Sequence, residues 1–357
     1  MNMSVKNKRT RSWIGYLITT ILIIFLFWFL FWPTNKYAES PGNATNLTSL
    51  VKVNHQHDHW SGKFLLMTVG IRGPLTPALI LYSKTQPYTS IVTQNNLMGS
   101  ETNSQYLQIQ QYYMQTAINN AISVACKQAN VTCHTTYNGV YIMNVSQHSR
   151  FKQVLHVGDV ITALNNKTFS NSQQFIDYVH QLKIGQRIKV TYLHNSKQYS
   201  ATKKLINIGS NKHPQVGLGI TLTDKSSIKS QVPINVDVGN IGGPSAGLIL
   251  TLQIYSQLSH HDLLNGRKIA GTGTIAPDGT VGIIGGIDKK VVAANRAHAQ
   301  IFFAPDYPVT KAIKAVDPDY QNNYTVAVAT AKHLHTKMKI IPVRSFQDAL
   351  NYLNEHQ

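Results

Sequence analysis

The chain has 357 residues, with 33 Lys and Arg against 15 Asp and Glu, a formal net charge of +18, and 15 histidines besides. That length admits two or three domains. The charge favours anionic surroundings, yet no zinc-finger spacing, aromatic-basic RNA motif or basic helix with heptads points to nucleic acid; an anionic membrane or cell-wall surface fits better.

The first predicted element supports that reading. Trp13 to Trp32 carries no charge, and about twenty such residues cross a bilayer core. Lys6, Lys8, Arg9 and Arg11 precede it. The positive-inside rule makes residues 1–12 a cytoplasmic tail, 13–32 a single-pass anchor, and everything after Pro33 external. A cleaved signal peptide is the alternative, but the run is long and aromatic and no A-x-A pattern follows. Residues 33–53, rich in Asn, Thr, Ser, Pro and Gly, read as a linker. Next, His55, His57 and His59 alternate. Three imidazoles on one strand face are a possible metal site, but no further ligand motif accompanies them, and a solvated strand entrance is the reading taken.

Residues 54–135 read as a supporting α/β region without nameable chemistry. Gly62 to Val69 has strand character, and 101–129 has helical spacing through Tyr106, Ile109, Tyr113, Ala117, Ile118, Ala121 and Val124. Cys126 and Cys133 lie on the external side, where a disulfide is permitted. Two unpaired thiols are the alternative.

Residues 136–205 open with a strand, Gly139 to Val145. Leu155-His156-Val157-Gly158-Asp159-Val160-Ile161 follows, ending at Asn165, then an apolar-striped helix, Ser172 to Leu182, and a strand, Arg187 to Leu193. The L-x-x-G-D-x-I-x-x-x-N pattern resembles that of a PDZ domain. The resemblance implies a module that captures an extended peptide along a sheet edge. Ser146 to Phe151 replaces the family's usual stretch, so ligand preference does not carry over. Gly217-Leu218-Gly219-Ile220 mimics the carboxylate loop of many PDZ domains, but it comes after the predicted strands and reads as the opening strand of a last domain, 215–357.

In that domain Ser245 lies in Gly243-Pro244-Ser245-Ala246-Gly247, directly before the apolar helical run Leu248, Ile249, Leu250, Leu252, Ile254 and Leu258. A hydroxyl at a loop-to-helix junction sits near free backbone N–H groups and the positive end of the dipole, where an oxyanion is stabilised. A helix N-cap is the structural alternative. Gly285-Gly286-Ile287-Asp288-Lys289-Lys290 then starts another helix. Lys290 shares an apolar face with Ile287, Ala294 and Ala297, whereas Lys289 points to a more polar side. Burial and the dipole both depress the pKa of such a lysine, making it a base for serine.

This pair resembles the proteolytic domain of the Lon family, through P-S-A-G at 244–247 and G-G-Φ-x-x-K at 285–290. Thr272-Gly273 matches the T-G pair that positions the lysine. The resemblance implies Ser245 as nucleophile, Lys290 as general base and Thr272 as lysine-positioning residue. The acidic residue usual after T-G is Thr274 here, so nothing carries over at that position. Two rival motifs are weaker. Gly243 to Gly247 also fits the G-x-S-x-G elbow of α/β-hydrolases, with Asp306 and His333 or His335 as unmarked partners. Ser226-Ser227-Ile228-Lys229 fits S-x-x-K without a K-T-G.

The expected fold is α+β: an N-terminal transmembrane helix, a PDZ-like β-sandwich or barrel module and a Lon-type proteolytic domain. The whole resembles the membrane-anchored, PDZ-containing Lon-like serine peptidases of Gram-positive bacteria. That implies cleavage of exported or membrane-proximal peptides and proteins. No P-loop occurs, so no nucleotide is expected, and no cofactor or metal enters the reading. Expected partners are peptide or unfolded-protein substrates and the membrane, with no nucleic acid; a homo-oligomer is left open. A non-catalytic PDZ scaffold is the rival from another class.

Overall fold

The computed structural model describes residues 4–316 and 318–356; Met1 to Met3 of the basic tail, and Asp317 and Gln357 of the last domain, lie outside the described residues. Helix α1 (Ser4–Phe31) leads the chain. Its Trp13–Phe31 stretch of 19 residues has a mean hydropathy of 2.5 and none of it is buried, which makes it long and apolar enough to cross a membrane.

Strands β1 (Lys36–Asn46), β2 (Val51–Val53) and β3 (Lys63–Arg72) follow, then α2 (Pro77–Thr85), β4 (Ser90–Thr93), α3 (Gln94–Met98) and the long α4 (Asn103–Gln128). The middle of the chain forms β5 (Cys133–Val145), β6 (Val160–Leu164), α5 (Ser172–His180), β7 (Arg187–His194), β8 (Lys197–Lys204), β9 (Ile206–Asn207), β10 (Val216–Gly217) and β11 (Ile220–Ser230). The last part holds β12 (Ile234–Val236), α6 (Gly247–Ser259), β13 (Lys268–Gly271), β14 (Thr274–Ile275), β15 (Val281–Gly282) and α7 (Ile287–Arg296). It ends with β16 (Ile301–Pro305), α8 (Lys311–Val316), α9 (Asn323–His333), β17 (Lys339–Val343) and α10 (Phe346–Glu355).

Strands from both ends of the chain share one six-stranded sheet, ordered β17-β16-β13-β3-β1-β4. β13 lies parallel to β3 and β16, while β1 is antiparallel to β3 and β4. Alternate side chains of a strand face opposite sides. Thus Phe64 and Leu66 pack with the buried residues of α6, whereas Leu65 and Met67 pack with those of α7. Almost every residue of α6 is buried, as an apolar run without a polar face requires.

This sheet corrects two readings of the sequence. Residues 33–53 are not a linker, because β1 sits inside the sheet between β3 and β4. Its pairing runs from Ala38↔Arg72 to Asn46↔Leu65 with a break between Pro41 and Ala44. Pro and Gly fall at that irregularity, so a loop-like composition belongs to a paired strand. Nor do residues 54–135 form a separate support, since β3 lies next to β13 in the same sheet. His55, His57 and His59 occupy an irregular turn with Asn54 and His55 at positive φ, so the alternation does not align them. The His57 ring donates from Nδ1 toward the carbonyls of Thr48 and Val51.

The second sheet, ordered β11-β5-β6-β7-β8, is antiparallel throughout and has its own core around Phe151, Leu155, Ile161, Leu164, Phe175 and Val190. β11 pairs with β5 from Ile220↔Val145 to Ser230↔Cys133. Gly217 to Ile220 is therefore not the opening strand of the last domain. Leu218 is buried in the PDZ-like core, and its carbonyl accepts the Ser149 hydroxyl. The module is an insertion between two parts of one sheet.

Cys126 and Cys133 are joined by a disulfide, which ties the end of α4 to the start of β5. α4 begins in a capping box formed by Thr102 and Gln105 and then packs two ways. Met114, Ile118, Ala121 and Ala125 belong to the core that contains α6. Tyr112 stacks on Tyr141 of the inserted module with ring centroids 4.1 Å apart.

Candidate active site

Ser245 lies on a single 3-10 turn, Pro244–Ala246, that runs directly into α6. Two glycines before it allow this turn to approach α4. A Cβ on Gly242 would stand 2.7 Å from Cβ of Gln110, and Gly243 has φ +90°. The Gly243 N–H donates to the Gln110 carbonyl at 2.8 Å. Gln110 is thus a supporting residue that the sequence did not mark; α4 offered only its apolar period.

The neighbouring strand fixes the far side. Thr272 follows β13 directly and is 1% exposed. Its hydroxyl donates to the Ser245 carbonyl at 3.0 Å, and the Gly273 N–H donates to the same oxygen at 2.9 Å. Asn120 of α4 donates to the Ile275 carbonyl at 2.9 Å, anchoring the start of the β14–β15 hairpin.

Lys290 arrives from the other face of the sheet. Gly286 caps α7 in the left-handed conformation, φ +64°. Asn323 grips the segment before it: its Oδ1 accepts the Ile284 N–H and its Nδ2 donates to the Ile284 carbonyl, each at 2.9 Å. Sequence reasoning missed Asn323 as well, since no motif links it to 285–290. One turn into α7, Lys290 is 3% exposed. Its Nζ donates to Ser245 Oγ at 2.7 Å and to Thr272 Oγ1 at 3.0 Å. Burial pushes its ammonium down to about 7, because removal from water penalises the charged form.

The three residues singled out in the sequence therefore meet beyond the end of β13. Ser245 is half-buried and reachable, and its hydroxyl bonds to Lys290 rather than capping a helix; neither the 3-10 turn nor α6 has a side-chain cap. Lys289 departs from expectation. The more polar side expected of it is closed: Lys289 is 6% exposed, and its Nζ pairs with Asp288 at 3.2 Å. The Asp288 carboxylate satisfies this buried ammonium.

The rival constellations are not assembled. Asp306 pairs with Arg344 at 2.9 Å and accepts from Asn322 at 3.0 Å. His333 is exposed and packs edge-on against Tyr88. Ser226 and Lys229 lie on β11, in the inserted module's sheet.

Comparison with known proteins agrees with these two units. The model of the PDZ domain matches residues 120–205, and that of the Lon protease (S16) C-terminal proteolytic domain matches residues 194–350. The Lon protease of Ureaplasma parvum serovar 3 is 39% identical over 87 residues, which are 23% of this chain and 11% of that protein. The chain thus matches about a tenth of the length of this curated relative. Among solved structures, the PDZ domain of an SdrC-like protein from Listeria monocytogenes is 44% identical, covering 24% of this chain and 90% of that one, with a TM-score of 0.23. The corresponding domain from Listeria innocua is 37% identical, covering 24% and 92%, with a TM-score of 0.22.

Proposed function

We propose that this chain, a PDZ-containing Lon-like peptidase by its two domains, is an ATP-independent serine endopeptidase that uses a Ser245–Lys290 dyad. It is anchored by α1 with its N-terminus in the cytoplasm, and it cleaves exported or membrane-proximal peptides and proteins outside the cell. The observation that carries the reading is the bond from the buried Lys290 to a reachable Ser245, 2.7 Å long.

Neutral Lys290 takes the Ser245 proton as Oγ attacks the scissile carbonyl carbon. The resulting ammonium returns that proton to the leaving amine, whose bond to the carbonyl carbon breaks. Lys290 then deprotonates a water that attacks the acyl-enzyme and frees Ser245. The Gly247 and Leu248 N–H groups donate to the Pro244 and Gly273 carbonyls, so the Ser245 and Ala246 N–H groups, which open the turn, hold the oxyanion. Thr272 keeps Nζ aimed at Oγ. Substrate enters as an extended strand, and the PDZ domain presents it along the edge strand β11 beside α5.

The full chain in detergent should label at Ser245 with a fluorophosphonate and cleave an unstructured peptide. Ser245→Ala should lose both properties while keeping its unfolding transition. Labelling elsewhere with cleavage retained in Ser245→Ala would remove the proposal. A chain that binds peptides but neither labels nor cleaves would be the scaffold.

A further inference from the structure

We propose that His156, Asp159 and His194 of the PDZ domain form a binding site for a divalent transition-metal ion. The ligand atoms of these three residues lie within 4.8 Å of one another, the one such group found among the described residues. They come from the turn before β6 and the end of β7, so the site joins two parts of the module.

Asp159 is built to hold its place. Its side chain is 2% exposed. One oxygen accepts the backbone N–H of His156 at 2.9 Å, and the other faces Nδ1 of His194 at 2.6 Å. An ionised carboxylate only accepts, so that Nδ1 carries the proton. These two bonds already satisfy the buried charge. The His156 ring is not needed for it, yet it stands beside the carboxylate: Nδ1 lies 3.7 Å from Oδ2, and the two imidazole centroids are 5.3 Å apart. That spacing is too long for a hydrogen bond. It suits two atoms sharing an ion, because tetrahedral ligands about 2.1 Å from zinc are roughly 3.4 Å from each other.

Two imidazole nitrogens and one carboxylate oxygen match zinc, and nickel or copper as competitors, rather than calcium or magnesium, which take oxygen ligands. Binding through Nδ1 moves the single proton of the neutral His194 ring, by exchange with solvent, from Nδ1 to Nε2, so the ring stays neutral and no net proton is released. The site also adjoins the support of the peptidase: Gly158 abuts the Gln108 side chain of α4, two residues from the Gln110 carbonyl that holds Gly243.

The test is calorimetric titration of the full, metal-stripped chain in detergent with Zn²⁺, paired with visible absorption on loading Co²⁺. Wild type should bind one equivalent at this site. His156→Ala and His194→Gln should each weaken that equivalent at least tenfold, and the tetrahedral cobalt band should fade. His148→Ala, exposed and outside the group, should change nothing. Were His194→Gln to misfold, His156→Ala carries the test, since among the described residues its ring makes no hydrogen bond that the fold depends on. Absence of a tight equivalent in wild type would overturn the proposal. So would an equivalent that survives both variants but vanishes when His55, His57 and His59 are replaced together.

Discussion

At the scale of single residues, the site turns on one side chain whose charge is unwelcome. Lys290 ionises near 7 in the folded chain and near 10.4 when unfolded. Between those values the unfolded chain binds more protons, so this group's contribution to stability rises with pH, and its cost is complete below about 7. Lys290→Met should therefore stabilise the fold by on the order of 2–4 kcal/mol at pH 6.5 and by little at pH 10.5, as denaturant unfolding at the two pH values would show. In the proposed mechanism the same ionisation governs the chemistry. The kcat/KM of wild type should rise with pH through about 7, unchanged in His333→Ala and His335→Ala; a limb lost with either histidine would assign the base to it. Thr272→Val removes the hydroxyl that receives Lys290 and holds the Ser245 carbonyl. It should lower kcat roughly ten- to hundredfold, with Thr272→Ser restoring most of it. Ser245, Thr272 and Lys290 were legible in the sequence because each lies in a compact motif whose backbone chemistry is local. Lys289 was misread because helix spacing gives direction but not what the rest of the chain packs over it.

At the scale of elements, α6 and α7 bring Ser245 and Lys290, the proposed nucleophile and base, from opposite faces of the sheet, and two other helices hold them there. α4 does so through Gln110. In Gly242→Ala the new methyl meets Cβ of Gln110, so cleavage should fall and stability drop by about 1–3 kcal/mol. α9 acts through Asn323. Its replacement by Ala strips partners from both backbone groups of Ile284, and about 2–4 kcal/mol of stability should go with them. Activity should suffer beyond that loss, because the Gly285-Gly286 turn is no longer held. A temperature series that compares unfolding with kcat separates the two effects. Neither support could be read from the sequence. Each joins segments distant in sequence, Gln110 through its carbonyl and the buried Asn323 through its side-chain amide, and neither lies in a motif.

For the whole molecule, insertion of the PDZ domain explains which boundaries the sequence conceals. Strand membership depends on a partner as much as on composition. β1 looks like a linker because Ser40, Pro41, Gly42 and Asn43 surround its irregularity, and β11 looks detached because β5 pairs with it from far earlier in the chain. The PDZ and peptidase signatures were plain because each is continuous in sequence, but the sheet that unites 36–93 with 268–343 is not. α4 touches both units, with Tyr112 against the PDZ domain and Gln110 behind Ser245. The most direct test uses the purified full chain in detergent, without nucleotide, and follows single-turnover cleavage of an unstructured peptide by wild type, Lys289→Met and Lys290→Met. Wild type and Lys289→Met should cleave, and Lys290→Met should not, although it remains folded. Cleavage by Lys290→Met with Lys289→Met inactive, or a requirement of wild type for added ATP, would contradict the Ser245–Lys290 account.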